Sequence, residues 1–262
     1  MSIFDALFLG LIQGLTEFIP VSSSGHLLLA HELLGSNGDN ALAFDVALHV
    51  GTLLALIVFF HRDILELLVN VTKQNKEGRL ARLLIIATIP GVLFGLLLGD
   101  YVEEKFRAAV PTAIALGLVA ILMLVVDRKV KRDHQKEEEI TTKQGIIVGF
   151  AQVLALIPGV SRSGITMTAG ILSGLKREQA ARFSFLLAMP IIAGSALGVM
   201  LKGFDVSAVG ITPLAIGMIT AFISGMLAIR FLLNVIAKVG LAPFAYYRIA
   251  LAVIVLLVFS LR

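Results

Sequence analysis

Residues that a lipid-buried segment would avoid are gathered in the stretch LIQGLTEFIPVSSSGHLLLAH, residues 11–31: Gln13, Glu17, the run Ser22, Ser23, Ser24, and His26. A second stretch, PGVSRSG at residues 158–164, adds Ser161, Arg162 and Ser163. Residues of these types could serve a phosphate-handling site. A serine hydroxyl becomes a nucleophile once an imidazole accepts its proton, and a guanidinium grips anionic oxygens. Each also has a plainer use. One serine ahead of a helix is a normal N-cap, a lone histidine at a helix start is more often structural, and Gln13, one turn before Glu17, reads alone as a packing amide. Glu17 and Arg162 could simply pair to lock two segments together. Three consecutive serines exceed what capping needs, however, and Ser23 stands one helical turn before His26, the spacing of a hydroxyl and its base. A carboxylate in the centre of a lipid-facing helix costs about 3 kcal/mol, so Glu17 must face protein, a cation or a polar cavity. Arg162 cannot discard its charge, and burying it demands an anion, which Glu17 or a bound phosphate supplies. His31, His49 and Asp45 read as structural, Asp45 because a place near a helix end keeps it solvated.

The elements that position these residues belong to a membrane protein. Of 262 residues 58% are hydrophobic and 15% charged, with a mean hydropathy of +0.95. Apolar runs at 41–60, 80–98, 109–126, 183–201, 211–229 and 249–261 approach the roughly 20 residues that a hydrocarbon core requires. They predict six spanning helices. Two shorter segments, 4–19 and 144–157, are broken at Pro20 and Pro158 and followed by short apolar pieces at 25–34 and 164–175. Each pair predicts a re-entrant helical hairpin, which enters and leaves by one face. No Lys or Arg precedes Arg62, so the basic region of a cleaved leader is missing and the amino end is expected to be retained. Without cysteine, thiol nucleophiles, thiolate metal sites and disulfides are excluded. Without tryptophan, Tyr101, Tyr246 and Tyr247 are expected to mark helix ends.

The net charge of +4 does not point to nucleic acid, because its distribution follows the predicted topology. Basic residues crowd into 61–79, 127–143, 175–182 and 230–242, together with Arg82, whereas the opposite set of loops and ends holds only Lys105, Arg107, Lys202 and Arg262. The positive-inside rule then places both termini outside the cytoplasm. The stretch at 128–143 reads as a charged cytoplasmic loop.

Offsetting the sequence by 139 residues lays Gly10 on Gly149, Gln13 on Gln152, Ser22 on Ser161, Ser24 on Ser163, Gly25 on Gly164, Phe44 on Phe183 and Leu48 on Leu187. The chain is thus read as one membrane domain of two repeats, about 1–127 and 144–262, each a hairpin plus three spans. Three spans is an odd number, so the second copy must be inverted. The two hairpin tips then meet near the midplane. Each ends in Ser-x-Ser-Gly ahead of a short helix, where free N–H groups and the helix dipole suit an anion, and Gly25 and Gly164 permit close backbone approach.

QGLTEFIPVSSSGH and PGVSRSG, set in such a repeat, closely resemble the two signature regions of the undecaprenyl-diphosphate phosphatases, the bacitracin-resistance family of bacterial inner-membrane enzymes. The resemblance spans essentially the whole chain. It implies hydrolysis of undecaprenyl diphosphate to the monophosphate and inorganic phosphate at the outer side of the membrane, with a divalent cation, Mg²⁺ or Ca²⁺. The lipid carrier is thereby recycled for peptidoglycan synthesis. Carried over by position, it implies that Ser23, His26, Glu17 and Arg162 are catalytic and that Ser22, Ser24, Gly25, Ser161, Ser163, Gly164 and Gln13 bind substrate. Many members have a carboxylate where this chain has Gln13. That leaves Glu17 as the single nearby acidic ligand for the cation, alongside substrate phosphates and the Gln13 carbonyl. A second class of lipid phosphatase, the phosphatidic-acid type, requires His and Asp after its Ser-Arg where this chain has Thr168 and Leu172. The expected mechanism is attack by Ser23 with His26 as base and later acid, while Glu17 holds the cation or orients His26. Expected partners are the polyprenyl diphosphate and the bilayer, with homodimer formation left open and no nucleic acid. The competing class is an inverted-repeat transporter or flippase of a polyprenyl phosphate or other anion.

Overall fold

The structure, a computed structural model, describes residues 1–35, 39–129, 139–201 and 210–260, and the regular elements among them are all helical. In chain order they are α1 (Ile3–Phe18), α2 (Ser23–Leu34), α3 (Asp39–Phe59), α4 (His61–Asn70), α5 (Lys76–Phe106), α6 (Ala109–Lys129), α7 (Thr142–Val153), a 3₁₀ turn (Leu154–Leu156), α8 (Arg162–Leu172), α9 (Arg177–Leu201), α10 (Ile211–Val239) and α11 (Ala242–Ser260). Residues 130–138 of the charged loop, with Lys202 and Arg262, lie outside the described residues.

Local chemistry sets the boundaries. Ser2 and Asp5 form a capping box at the start of α1, and Thr141 and Gln144 form one at the start of α7. Pro20 forces the preceding Ile19 into extended backbone and ends α1. Pro90 and Pro190 lie inside α5 and α9, where neighbouring helices can satisfy the freed carbonyls. Five helices, α5, α6, α9, α10 and α11, are long and apolar enough to cross a membrane, and α3 with α4 forms a sixth candidate bent by 74°. The bend corrects one expectation: residues 61–79 are not all loop. In α4 no residue is buried, and Leu65, Leu68 and Val69 are exposed beside charged Asp63 and Glu66, the pattern of a helix lying in the membrane interface.

Each hairpin packs on a helix from the opposite half of the chain, α1 against α10 and α7 against α5. Small residues allow this. A Cβ on Gly10 would stand 2.6 Å from the Gly217 carbonyl oxygen, and one on Gly149 would stand 2.6 Å from that of Ala87. The main core gathers under the hairpin tips, where Phe18 meets Phe185 edge-on at 5.5 Å and Phe60 packs beside them. Both tips therefore rest on packed apolar side chains.

Candidate active site

The end of α1, the start of α2 and the start of α8 converge on Glu17. Its carboxylate is buried and fully engaged. Oε1 accepts from Arg162 Nη2 at 2.5 Å, while Oε2 accepts from Ser23 Oγ at 2.6 Å and from Gln13 Nε2 at 3.1 Å. His49 Nε2 faces the same Oε2 at 3.5 Å. Arg162 also donates Nη1 to the Ser184 carbonyl at 3.3 Å, which fixes the plane of its guanidinium against α9.

The tips share one backbone device. Ser22 and Ser161 are the non-glycine residues with positive φ among those described, at 77° and 71°. This conformation costs a β-carbon roughly 1–2 kcal/mol. It turns each chain so sharply that Ser22 Oγ caps Gly25 N at 3.4 Å and Ser161 Oγ caps Gly164 N at 3.1 Å. The tips also bond to one another: Gly159 N donates to Ser24 Oγ and Ser163 Oγ donates to the Ile19 carbonyl, both at 3.4 Å. The serines singled out from the sequence thus lie at two tips that hydrogen-bond to one another, each leading into α2 or α8.

A model of the family described as bacitracin resistance protein BacA matches residues 6–254, a span that contains every one of these residues. The chain belongs to this family. Among curated BacA relatives, a protein from Moorella thermoacetica named undecaprenyl-diphosphatase is 46% identical over 264 residues, covering 100% of both chains. One of the same name from Caldicellulosiruptor bescii is 43% identical over 100% of this chain and 99% of its own. A third, from Alteromonas mediterranea, is 46% identical over 98% of each.

Four expectations for this BacA chain change in the structure. First, His26 is not paired with Ser23. Its Nδ1 lies 2.7 Å from the Ser22 carbonyl, which can only accept, so the proton sits on Nδ1 and the Nε2 lone pair takes the Tyr247 hydroxyl at 2.7 Å. The ring has swung back along the first turn of α2, and Ser23 turns to Glu17 instead. Glu17 accordingly orients Ser23 and not His26. Second, Asp45 is not solvated but buried, bonded to His31 Nε2 at 2.8 Å and Arg107 Nη2 at 3.3 Å. Third, His49 belongs to the Glu17 cluster, held by Nδ1 on the Asp45 carbonyl at 2.7 Å. Fourth, the three tyrosines expected at helix ends lie within helices: Tyr101 in α5, which runs on to Phe106, and Tyr246 and Tyr247 in α11, which begins at Ala242.

The donor set also bears on the cation. Glu17 uses both oxygens on protein donors, and Gln13 Oε1 is the buried oxygen beside it without a partner. Among the described residues no group of three His, Cys, Asp or Glu could hold a metal ion. A Mg²⁺ ion seeks six oxygens, and one amide carbonyl does not fit that need.

Sequence reasoning missed His49 and Arg248. A signal existed for each. At the offset of 139, His49 falls on Ala188 and Thr52 on Ile191, so the two aligned segments differ in polarity there. Arg248 interrupts the apolar run that continues as IALAVIVLLVFS, and belongs to neither set of charged loops.

Proposed function

We propose that this chain is an integral membrane phosphatase that converts undecaprenyl diphosphate and water to undecaprenyl phosphate and inorganic phosphate. The observation that carries the reading is the bonding of Glu17: one oxygen on the Ser23 hydroxyl, the other on Arg162, between two helix N-termini. Ser23 Oγ attacks the terminal phosphorus while its proton passes to Glu17 Oε2, and the bridging P–O bond breaks. The polyprenyl monophosphate is a stable anion and needs no proton to depart. Once Glu17 is protonated its hold on Arg162 weakens, which frees the guanidinium for the transferred phosphoryl oxygens at the moment their charge spreads. Water then attacks the phosphorus of the phosphoserine as the P–Oγ bond breaks; Glu17 returns its proton to Ser23 Oγ, and the protons of the water leave on the inorganic phosphate. The N–H groups at the starts of α2 and α8, with Ser22, Ser24, Gly25, Ser161, Ser163 and Gly164, cradle the phosphate. His26 reaches a phosphoryl oxygen only when substrate displaces the Tyr247 hydroxyl, and we assign it to the phosphate and not to Ser23.

The cation fits best as a passenger on the diphosphate, and no step above passes through it. We place both termini outside the cytoplasm and the site open to the outer side, on the strength of the positive-inside distribution, and take the two halves as inverted repeats that form one membrane domain. The protein purified in detergent, given undecaprenyl diphosphate and Mg²⁺, is expected to release inorganic phosphate. A protein active only across a sealed bilayer, with no phosphate released in detergent, would be a carrier and would overturn this reading.

A further inference from the structure

Arg248 is fully buried in the second turn of α11. Its guanidinium donates to four carbonyl oxygens: Nη1 to Pro20 at 3.3 Å, Nη2 to Gly159 at 2.9 Å and Val160 at 3.0 Å, and Nε to Leu116 of α6 at 3.3 Å. Three of these four acceptors belong to the hairpin tips, one just before Ser22 and two just before Ser161. Nη1 also lies 3.0 Å from where a Cβ on Gly164 would stand, so the group sits against the start of α8. Among the described residues its hydrogen-bond partners are neutral carbonyls only.

Two consequences follow from elementary electrostatics. A peptide plane sends its C=O and N–H in opposite directions. Carbonyls drawn toward Arg248 therefore keep their negative ends away from the place where the α2 and α8 N-termini face. The second concerns net charge. Glu17 and Arg162 cancel as a pair, so the positive charge of Arg248 is left uncompensated behind the tips. Burying an ion without a counter-ion costs several kcal/mol, and carbonyl dipoles offset only part of that. An anion arriving at the tips offsets more.

We propose that Arg248 is a positioning residue for the phosphate site. One guanidinium clasps both hairpin tips from behind, aligns two helix N-termini on a common phosphate and leaves them with an excess of positive charge. This rests on the reading of the tips as a phosphate site. Charge and clasp are separable, because Arg248→Gln keeps an amide donor but no charge, whereas Arg248→Lys keeps the charge but cannot span four acceptors.

The test measures undecaprenyl diphosphate turnover, melting temperature and calorimetric binding of methylenediphosphonate, a diphosphate that cannot be hydrolysed, on the full chain in detergent. Arg248→Gln is expected to lower kcat/KM by about 10²–10³-fold, the effect of removing a preorganised donor, and to weaken methylenediphosphonate binding at least about tenfold. Arg248→Lys is expected to recover about tenfold of both losses. A folded Arg248→Gln protein that binds the probe and turns over within about twofold of the parent overturns the proposal. So does one whose only change is a lower melting temperature. Should Arg248→Gln not fold, Arg248→Lys decides alone: about a tenfold loss of kcat/KM at an unchanged melting temperature supports the clasp, and parental turnover overturns it. A parent protein that does not bind methylenediphosphonate sinks the phosphate-site reading itself, which the variants by themselves would not.

Discussion

Hairpin 1 and hairpin 2 turn through the same left-handed serine, cap the same glycine N–H and launch helices of similar length from it. Their side chains diverge around that shared turn. At the offset of 139, Glu17 falls on Leu156, Ser23 on Arg162, His26 on Ile165, His49 on Ala188 and Thr52 on Ile191. The backbone device can bind an anion in either copy, since it uses only N–H groups and a serine oxygen. The hydroxyl of Ser23 and the carboxylate of Glu17 lie in the first segment, and the guanidinium of Arg162 lies in the second. Ser23 and Arg162 occupy equivalent places and both bond Glu17, so one carboxylate reads the two copies at once. The comparison teaches that one backbone turn, used at both tips, can carry chemically complementary side chains: a hydroxyl at one and a guanidinium at the other.

Substitutions that erase the difference between the copies should break function in a graded order. Removing the carboxylate comes first. Glu17→Gln, measured as phosphate release, is expected to lower kcat/KM by about 10³-fold or more, because it removes the carboxylate that Ser23 and Arg162 both bond. Ser23→Ala should fall in the same range, and its retention of parental turnover would make water the direct attacker. Next is the cation: Arg162→Met is expected to cost about 10²–10³-fold in kcat, with Arg162→Lys recovering only part, since lysine lacks the planar fork. Third, His49→Ala, which copies Ala188 at the offset of 139, should lower kcat about tenfold with little change in KM, and His49→Gln should recover part of it by offering an amide donor toward Glu17. A KM effect alone would place His49 outside the Glu17 cluster's function.

The smallest effect tests the shared turn. A Cβ on Gly25 would meet nothing closer than 3.4 Å, whereas one on Gly164 would stand 3.0 Å from Arg248 and 3.1 Å from Ser161. Gly164→Ala is expected to cost about 1–2 kcal/mol of stability and Gly25→Ala well under about 1 kcal/mol, read from denaturation midpoints. Equal costs would mean that the tips are not packed as differently as their surroundings indicate.

Much of this was legible beforehand, for reasons particular to each feature. The hairpins announced themselves through Pro20, Pro158 and the two Ser-x-Ser-Gly segments, because proline and capping residues act within a turn of their own position. The apolar runs located the long helices because transfer into hydrocarbon depends on composition. The candidate residues from Gln13 to Gly164 were also nameable, since a carboxylate or guanidinium in such a run needs a reason. Pairing was less legible. The spacing of Ser23 and His26 suggested a dyad, yet a three-residue spacing specifies reach and not rotamer, and the Ser22 carbonyl and the Tyr247 hydroxyl took the imidazole.

The sequence by itself determined a helical membrane protein with two serine-tipped hairpins and a set of polar residues unable to face lipid, because hydrophobic transfer and helix capping are local. The tertiary structure alone decided which partners those residues take. Arg162 meets Glu17 across 145 positions and Arg248 meets the tips across 228 and 89. Contacts at that separation depend on how whole helices pack. A buried charge dictates that a partner must exist, but only the packing of the helices around it dictates which one.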